Sequence, residues 1–218
     1  MNNKNKKVIV AVLLLAVLSL AGVSFYYWYT NAYFVSTEDA RVDADLFRVS
    51  PQVSGKILEV YVEEGQAVRA GEVVARLDDT TLQAANPDLA VVRAPVDGLV
   101  VKKLARPGEM AAPGQPVVVL VDPKDLYVTA NIEEDKLRRV RVGQQVDISL
   151  DALPGKTFTG RVERIGKASL SVFSLLPSSS GGSFTKVVQR VPVKIVFNEK
   201  PGEYVEVGTN AFVRIHVK

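Results

Sequence analysis

The chain has 218 residues, of which 27 are Lys or Arg, 24 are Asp or Glu, one is His and none is Cys. The lack of cysteine excludes a disulfide scaffold, a thiolate zinc site and a thiol nucleophile, and the single histidine, His216, excludes sites that need two. Lys4, Lys6 and Lys7 account for the net charge of +3, because basic and acidic residues balance from Val8 onward. A neutral bulk gives no indication of nucleic-acid binding, so no nucleic-acid partner is expected.

The first predicted element is the uncharged stretch 8–29, which follows these lysines and ends in four aromatic residues, 26–29. As a helix it would span about 33 Å, enough for the core of a bilayer. Lysines stay on the cytoplasmic side, and Trp and Tyr favour the interface. We therefore expect a cytoplasmic tail over 1–7, a transmembrane helix over 8–29 and the remainder outside the cytoplasm. A signal peptide cleaved after Ser19–Ala21 is the alternative, although the apolar run continues past that point.

From residue 30 the chain consists of short Val-rich runs separated by Gly and Pro, a pattern typical of small all-β domains. Segments 50–77 and 94–120 repeat one another at a separation of 43 residues. The repeat aligns three pairs of glycines, which are expected at turns that need positive φ. The pairs are Gly55 with Gly98, Gly65 with Gly108, and Gly71 with Gly114.

Neither half of the repeat buries its apolar face alone, so the two halves are predicted to share one flattened β-sandwich. Its expected core is Val60, Val62, Val73, Leu77, Val100, Val117 and Leu120. This pair of half-motifs resembles the biotinyl/lipoyl-type domain. In carrier proteins of that fold a modified lysine lies between the halves, but here none occurs between Lys56 and Lys102. No covalent lipoyl or biotinyl group, and no other cofactor or metal, is expected.

Nearly the whole chain resembles the HlyD-type membrane fusion proteins, or periplasmic adaptors, and its distal part resembles the EmrA branch. The segments that carry the resemblance are Ser36–Val42, Ser50–Gly55, Glu63–Val68, Arg93–Gly98, Phe173–Pro177 and Lys186–Val193. It implies a mainly β fold: an N-terminal transmembrane helix, a lipoyl-like β-sandwich and a small β-barrel. It also implies a non-enzymatic adaptor of a multidrug efflux or secretion system, forming a homo-oligomer with an inner-membrane exporter of the major facilitator type. A structural envelope protein without a transporter is the alternative.

One departure from the family concerns its long helical hairpin, which is inserted between the two lipoyl halves. Here only 80–90 takes its place, and eleven residues folded back as helix reach only about 10 Å. Thr80 could cap a single turn, which Asn86–Asp88 would end. A bridge to an outer-membrane channel is therefore not expected from this chain alone. The sequence leaves open whether the hairpin was removed or is naturally short.

The distal region is predicted to form a small barrel. Strands are expected at Leu126–Ile132, Val146–Leu150, Thr157–Ile165, Val187–Phe197 and Ala211–Val217, with a short helix at Glu133–Val140 and an earlier strand at Ala40–Phe47. The expected division is 30–48 for the linker and first barrel strand, 49–79 and 91–122 for the two lipoyl halves, 80–90 for the loop between them, and 123–218 for the barrel.

Functional residues are expected on surfaces rather than at a catalytic centre. The apolar run Phe173, Leu175, Leu176 and Pro177 is a candidate contact for the exporter or a neighbouring copy, unless it packs into the barrel. Arg138, Arg139 and Arg190 are candidates for docking a partner, with a solvated helix end as the alternative for the first two. The six paired glycines are the candidate structural turns.

Overall fold

The computed structural model describes residues 3–78, 87–167, 188–199, 201 and 205–217. Helix α1, Asn3–Tyr33, comes first and extends beyond the expected 8–29 at both ends. The described side chains of its central part are exposed although they are mostly apolar. Within it, Leu13–Tyr33 is long and apolar enough to cross a membrane. Such a surface is stable only where water is excluded, which fits the predicted anchor.

The described residues after α1 form twelve strands and two short helices. The strands are β1 Phe34–Val49, β2 Gly55–Val60, β3 Ala67–Val68, β4 Val73–Leu77, β5 Val91–Arg93, β6 Gly98–Lys103, β7 Met110–Ala111, β8 Val118–Glu133, β9 Gln145–Leu150, β10 Thr157–Ile165, β11 Arg190–Phe197 and β12 Asn210–His216. A 3-10 helix, Pro87–Ala90, precedes β5, and helix α2, Glu134–Leu137, follows β8. The mainly β fold is confirmed.

The chain divides into two compact units. The first comprises Met1–Arg41, Val128–Glu199 and Asn210–Lys218, and the second comprises Val42–Tyr127 and Lys200–Thr209.

Six strands of the first unit's sheet close into the predicted barrel. They run in the order β1-β12-β9-β10-β11-β8, and β8 pairs back with β1. The later part of β8, from Leu126, and strand β11 from Val191 alternate between buried and half-buried side chains, as expected for a barrel wall. The barrel core contains Val128, Ile132, Val146, Ile148, Val193, Ile195, Val213 and Ile215, all essentially inaccessible. The strand expected at Ala40–Phe47 lies within β1, but the part of β1 that pairs with β12 is the earlier one, from Phe34 to Arg41.

The helix expected over Glu133–Val140 is shorter than predicted. It ends at Leu137 because the next amides, those of Arg139 and Val140, bond to carbonyls three residues back and tighten the chain into turns. Val140 is buried, and Gly143, with φ of 90°, directs the chain into β9.

The second unit is the sandwich, in which one sheet has the order β5-β4-β2-β7 and the other contains β8, β6 and β3. Its single core draws Ile57, Val62, Leu77, Val100, Val117 and Leu120 from both halves of the repeat, which confirms the shared core. Two residues expected to be buried, Val60 and Val73, are only half-buried, although Val60 still packs against the core. Register shifts between Ile57 and Glu59 and between Val73 and Ala75 displace the alternation, so that Val74 points inward instead.

The 43-residue repeat is preserved in individual hydrogen bonds. The amide of Gly65 donates to the carbonyl of Val100 at 2.8 Å, and that of Gly108 donates to Ile57 at 2.8 Å. The short strand β3 of the first half pairs with β6 of the second, and β7 of the second half pairs with β2 of the first. Each half therefore completes a sheet of the other, as expected for two halves that share one core.

The six glycines fall into two groups. Gly65, Gly71, Gly108 and Gly114 have φ between 83° and 92°, which favours glycine. Gly55 and Gly98 are not at turns as expected but begin strands β2 and β6. Close packing explains glycine at the second of these, since a Cβ on Gly98 would lie 2.6 Å from the carbonyl oxygen of Val121.

The connection between the two halves joins β4 to β5, which are neighbouring strands of one sheet. Strands β4 and β5 are antiparallel, with Arg76 opposite Val91 and Val73 opposite Arg93. The predicted helical turn before Asn86 lies outside the described residues. The 3-10 helix Pro87–Ala90 leads directly into β5.

Candidate functional site

The segment Ser36–Val42 forms part of the closing seam of the barrel. A bulge between Thr37 and Ala40 shifts its register against β12. One carboxylate oxygen of Asp39 accepts a bond from the side-chain amide of Asn131 at 3.0 Å, and the other pairs with the guanidinium of Arg190. Asp39 thus joins β1 to β8 and β11, where the barrel closes.

Arg190 is therefore a residue of the barrel seam, and its role in docking a partner stays a prediction. Its side chain is 47% exposed and that of Asp39 is 41% exposed, so solvent screens the pair and its contribution to stability is at most about 1 kcal/mol. Beside it lies an open polar groove of about 530 Å³, whose lining includes Glu133 and Lys136, themselves an ion pair. The groove has no deep pocket for a small ligand.

The second feature is the segment 138–142, which we call the arginine turn. It contains three arginines and lies against the C-terminal end of α1. Arg139 donates from Nη2 to the carbonyl oxygen of Ala32 at 2.8 Å. The last carbonyls of a helix have no partner within it and carry partial negative charge, so a guanidinium there is favourable. The amide of Val217 also donates to the carbonyl of Tyr33 at 2.9 Å. The barrel thus holds the end of α1 directly.

Arg138 lies on the same turn but is exposed, and its carbonyl accepts a bond from Arg141 Nη1 at 2.8 Å. The structure therefore brings Arg138 and Arg139 together, while Arg190 belongs to the seam. Sequence analysis missed Asn131 and Ala32, since neither carries a local signal that distinguishes it from other strand or helix residues.

Replacing Arg139 with Ala should loosen the end of α1 from the barrel. Loss of a charged hydrogen bond to a helix terminus is expected to cost about 1–2 kcal/mol, measured as thermal unfolding of the full chain in detergent and as faster amide exchange at Val217. Arg138→Ala is the matched control and should change stability by less than about 0.5 kcal/mol. Equal effects of both substitutions would contradict the capping role of Arg139.

The apolar candidates Phe173, Leu175, Leu176 and Pro177 lie outside the described residues, so they stay a prediction. His216 lies at the end of β12, one third exposed, with Nε2 2.8 Å from the carboxylate of Asp147. Among the residues that the structure describes, no group of three or more His, Asp or Glu side chains could hold a metal.

The sandwich exposes apolar residues that the sequence analysis did not single out, although the repeat could have revealed them. Leu58 and Val101 occupy equivalent positions, as do Tyr61 and Leu104, and all four are between 40% and 48% exposed. The strands β2 and β6 belong to different sheets. Leu58 and Tyr61 therefore lie on one outer face of the sandwich, and Val101 and Leu104 lie on the other. A hydrogen bond to Glu59 raises the pKa of the Tyr61 phenol above its ordinary value.

Comparison with known families matches both domains. The model described as RND MFP, barrel-sandwich hybrid domain, matches residues 46–123, and the YknX-like beta-barrel domain matches residues 126–215. YhbJ of Bacillus subtilis, provisionally named an efflux system component, is 34% identical over 203 residues, which cover 93% of this chain and 88% of YhbJ.

Two further likenesses concern EmrA proteins. The colistin resistance protein EmrA of Acinetobacter baumannii is 36% identical over 111 residues, but these cover 50% of this chain and only 31% of that protein. The solved structure of the periplasmic adaptor EmrA has the same fold, with a TM-score of 0.58 and 19% identity over 85% of this chain and 99% of that one. With its two matched domains and its end-to-end similarity to YhbJ, the chain belongs to the membrane fusion proteins, the adaptor family of efflux systems.

Proposed function

We propose that the protein is a membrane-anchored adaptor subunit that assembles as a homo-oligomer with an inner-membrane exporter of an efflux or secretion system. The observation that carries this proposal is the direct joining of an apolar, exposed helix to the barrel. Helix α1 ends at Tyr33 and β1 begins at Phe34, with no linker between them. An adaptor needs its soluble domains held near the exporter, and this junction would hold them close to the membrane surface.

The charge and aromatic residues around α1 support an orientation with the N-terminus in the cytoplasm. Lysines precede the apolar stretch, and Phe25, Trp28 and Tyr29 form a contacting aromatic cluster towards its other end. Aromatic side chains of this kind favour the membrane interface. The barrel and the sandwich would then lie in the periplasm.

A major facilitator exporter is the favoured partner because the distal motifs resemble the EmrA branch. The similarity to Acinetobacter baumannii EmrA, whose name records colistin resistance, supports a role in drug export. The short connection between the sandwich halves argues against contact with an outer-membrane channel by this chain alone. YhbJ supports a naturally short connection: its 203 aligned residues correspond to 93% of this chain, which leaves no room for a long insertion.

The repeated exposed residues of the sandwich support self-assembly. Leu58 and Tyr61 on one face would pack against Val101 and Leu104 on the opposite face of the next copy. Two pairs of equivalent positions carry opposite charges, Glu59 with Lys102 and Glu63 with Arg106, which favours a head-to-tail contact. Such a heterologous contact forms a ring when its rotation closes.

Co-expression with the exporter tests this function. A tagged exporter should retain the full chain during purification and give drug resistance that is lost without the adaptor. The double variant Leu58→Glu and Val101→Glu should reduce cross-linked oligomers at least tenfold, since charges at the centre of an apolar contact cost several kcal/mol. Leu46→Glu is the control, because Leu46 is similarly exposed and lies outside the repeated segments 50–77 and 94–120. Absence of both retention and resistance would instead favour a structural envelope protein.

A further inference from the structure

The arginine turn lies at the end of the barrel where α1 enters. Strand β12 ends with His216 opposite Phe34, the residue after α1, and Ile215 of β12 lies opposite Val146 at the start of β9. The arginine turn immediately precedes β9, while the turn 151–156 follows its other end. The two turns therefore lie at opposite ends of the same barrel strand. Of these two turns, the arginine turn is the one at the level of the end of α1.

The contact between Arg139 and Ala32 shows more closely where the arginine turn lies along α1. It brings the turn within hydrogen-bond distance of the last turn of α1, in which the rings of Tyr29 and Tyr33 are in contact, with centroids 4.6 Å apart. Tyrosines at the end of an apolar helix lie at the depth of lipid headgroups. If α1 is inserted as proposed above, the arginine turn lies at headgroup depth.

The chemistry of the turn suits phosphate. Residues 138–142 contain three arginines and no acidic residue, and Arg138 and Arg141 are exposed. Arg141 uses Nη1 to bond the carbonyls of Arg138 and Val140, and its remaining donors leave capacity for an anion. Val142 is 64% exposed, an apolar side chain suited to the boundary between headgroups and acyl chains. The nearest acids in sequence, Glu133–Asp135, precede the turn, and Glu133 is paired with Lys136.

We propose that Arg138 and Arg141 bind the phosphate groups of anionic phospholipids in the leaflet that surrounds the end of α1, with Val142 inserted beside them. This inference rests on the proposed anchoring of α1. A guanidinium matches phosphate geometry and interacts with it more strongly than a neutral donor does. With Arg139 holding the helix end, the turn gives the barrel a second attachment to the membrane, which sets its height and tilt.

The cysteine-free chain allows a direct test by single labelling. The full chain with Val142→Cys, or with Lys156→Cys on the opposite turn as control, is labelled with a fluorophore and reconstituted in vesicles of phosphatidylcholine with or without phosphatidylglycerol. Lipids that carry a quencher on the headgroup should quench the label at 142 and leave the label at 156 unchanged. Quenching at 142 should increase with the fraction of phosphatidylglycerol and decrease with salt.

Charge-removing variants then separate lipid binding from mere proximity. Arg138→Gln should lower the ratio of headgroup-bound to free turn about fivefold, and the double variant with Arg141→Gln about 25-fold, because each arginine near an anionic surface contributes independently. Arg138→Lys should retain most of the binding. Arg138 contributes its carbonyl to the turn, so R138Q leaves that bond in place.

Three results would overturn lipid binding by the turn: equal quenching at 142 and 156, quenching insensitive to phosphatidylglycerol, or quenching unchanged in R138Q and in the double variant. Protection of the label in cell membranes but not in anionic vesicles would also overturn it, by assigning the turn to a protein partner. Failure of the anchor itself is recognised separately, because the chain would then not float with vesicles after alkaline washing.

Discussion

Alanine in place of Gly98 is expected to lower the free energy of unfolding by about 1–3 kcal/mol, near the upper end of this range. A Cβ at this position would lie 2.6 Å from the carbonyl oxygen of Val121 and 3.3 Å from its carbonyl carbon. Both atoms belong to the backbone of β8, so no side-chain rotation relieves the clash. Strands β6 and β8 would have to separate, which weakens the ladder at Leu99 and Val121.

The repeat supplies the matched control for Gly98. Gly55→Ala places the same methyl group at the equivalent position, but its nearest neighbours are side-chain carbons of Leu77 at 3.4 Å. That contact is close to an ordinary one, so a cost below about 1 kcal/mol is expected. Chemical unfolding of the full chain in detergent measures both values. Equal losses at the two glycines would show that backbone crowding is not the reason for glycine at position 98.

A long helical hairpin inserted between Asp79 and Val91 should give the protein reach without unfolding the sandwich. The flanking strands β4 and β5 are antiparallel neighbours, about 5 Å apart, and two packed helices are about 8–10 Å apart, so short linkers join them. A hairpin with helices of about 30 residues adds roughly 45 Å of reach. In cells that depend on an outer-membrane channel, the unmodified chain should not restore drug export, whereas the chain with the inserted hairpin should restore it at least tenfold in the resistance assay.

An insertion of equal length composed of Gly and Ser is the control for this experiment. It should leave the sandwich folded, because closing a longer flexible loop costs little, but it has no rigid reach. Channel-dependent export by the unmodified chain alone would contradict the role assigned to the short connection. So would loss of folding in both insertion variants, since the neighbouring strands would then not tolerate any longer connection.

The sequence predicted the elements whose signal is local or repeated. The alternation in Leu126–Ile132 and in Val191–Phe197 identified barrel strands, and the 43-residue repeat identified the shared core of the sandwich. It failed at Val60 and Val73, because a bulge changes which side chains face inward and leaves no distinct sign in the order of apolar residues.

The contacts of the candidate site depend on pairs of residues that are far apart in the chain. Asp39 and Arg190 are separated by 151 residues, and Ala32 and Arg139 by 107. The sequence identifies Arg139 and Arg190 as cationic side chains. Their partners, Ala32 and Asp39, are determined by the way the barrel closes. Periodicity reports which side chains face the core, and it does not report which two surface groups the fold brings together.

The reciprocal strand exchange within the sandwich also bears on how copies of the chain associate. Because β3 completes the sheet of β6 and β7 completes that of β2, each half contains a docking position for the other half, whichever chain supplies it. Two neighbouring copies that traded their second halves would satisfy the same hydrogen bonds and bury the same core as two separate copies. Domain swapping of this kind would convert a reversible contact between adaptors into a topological link. The length of the connection between Asp78 and Val91 would then decide between a self-contained sandwich and an interlocked assembly.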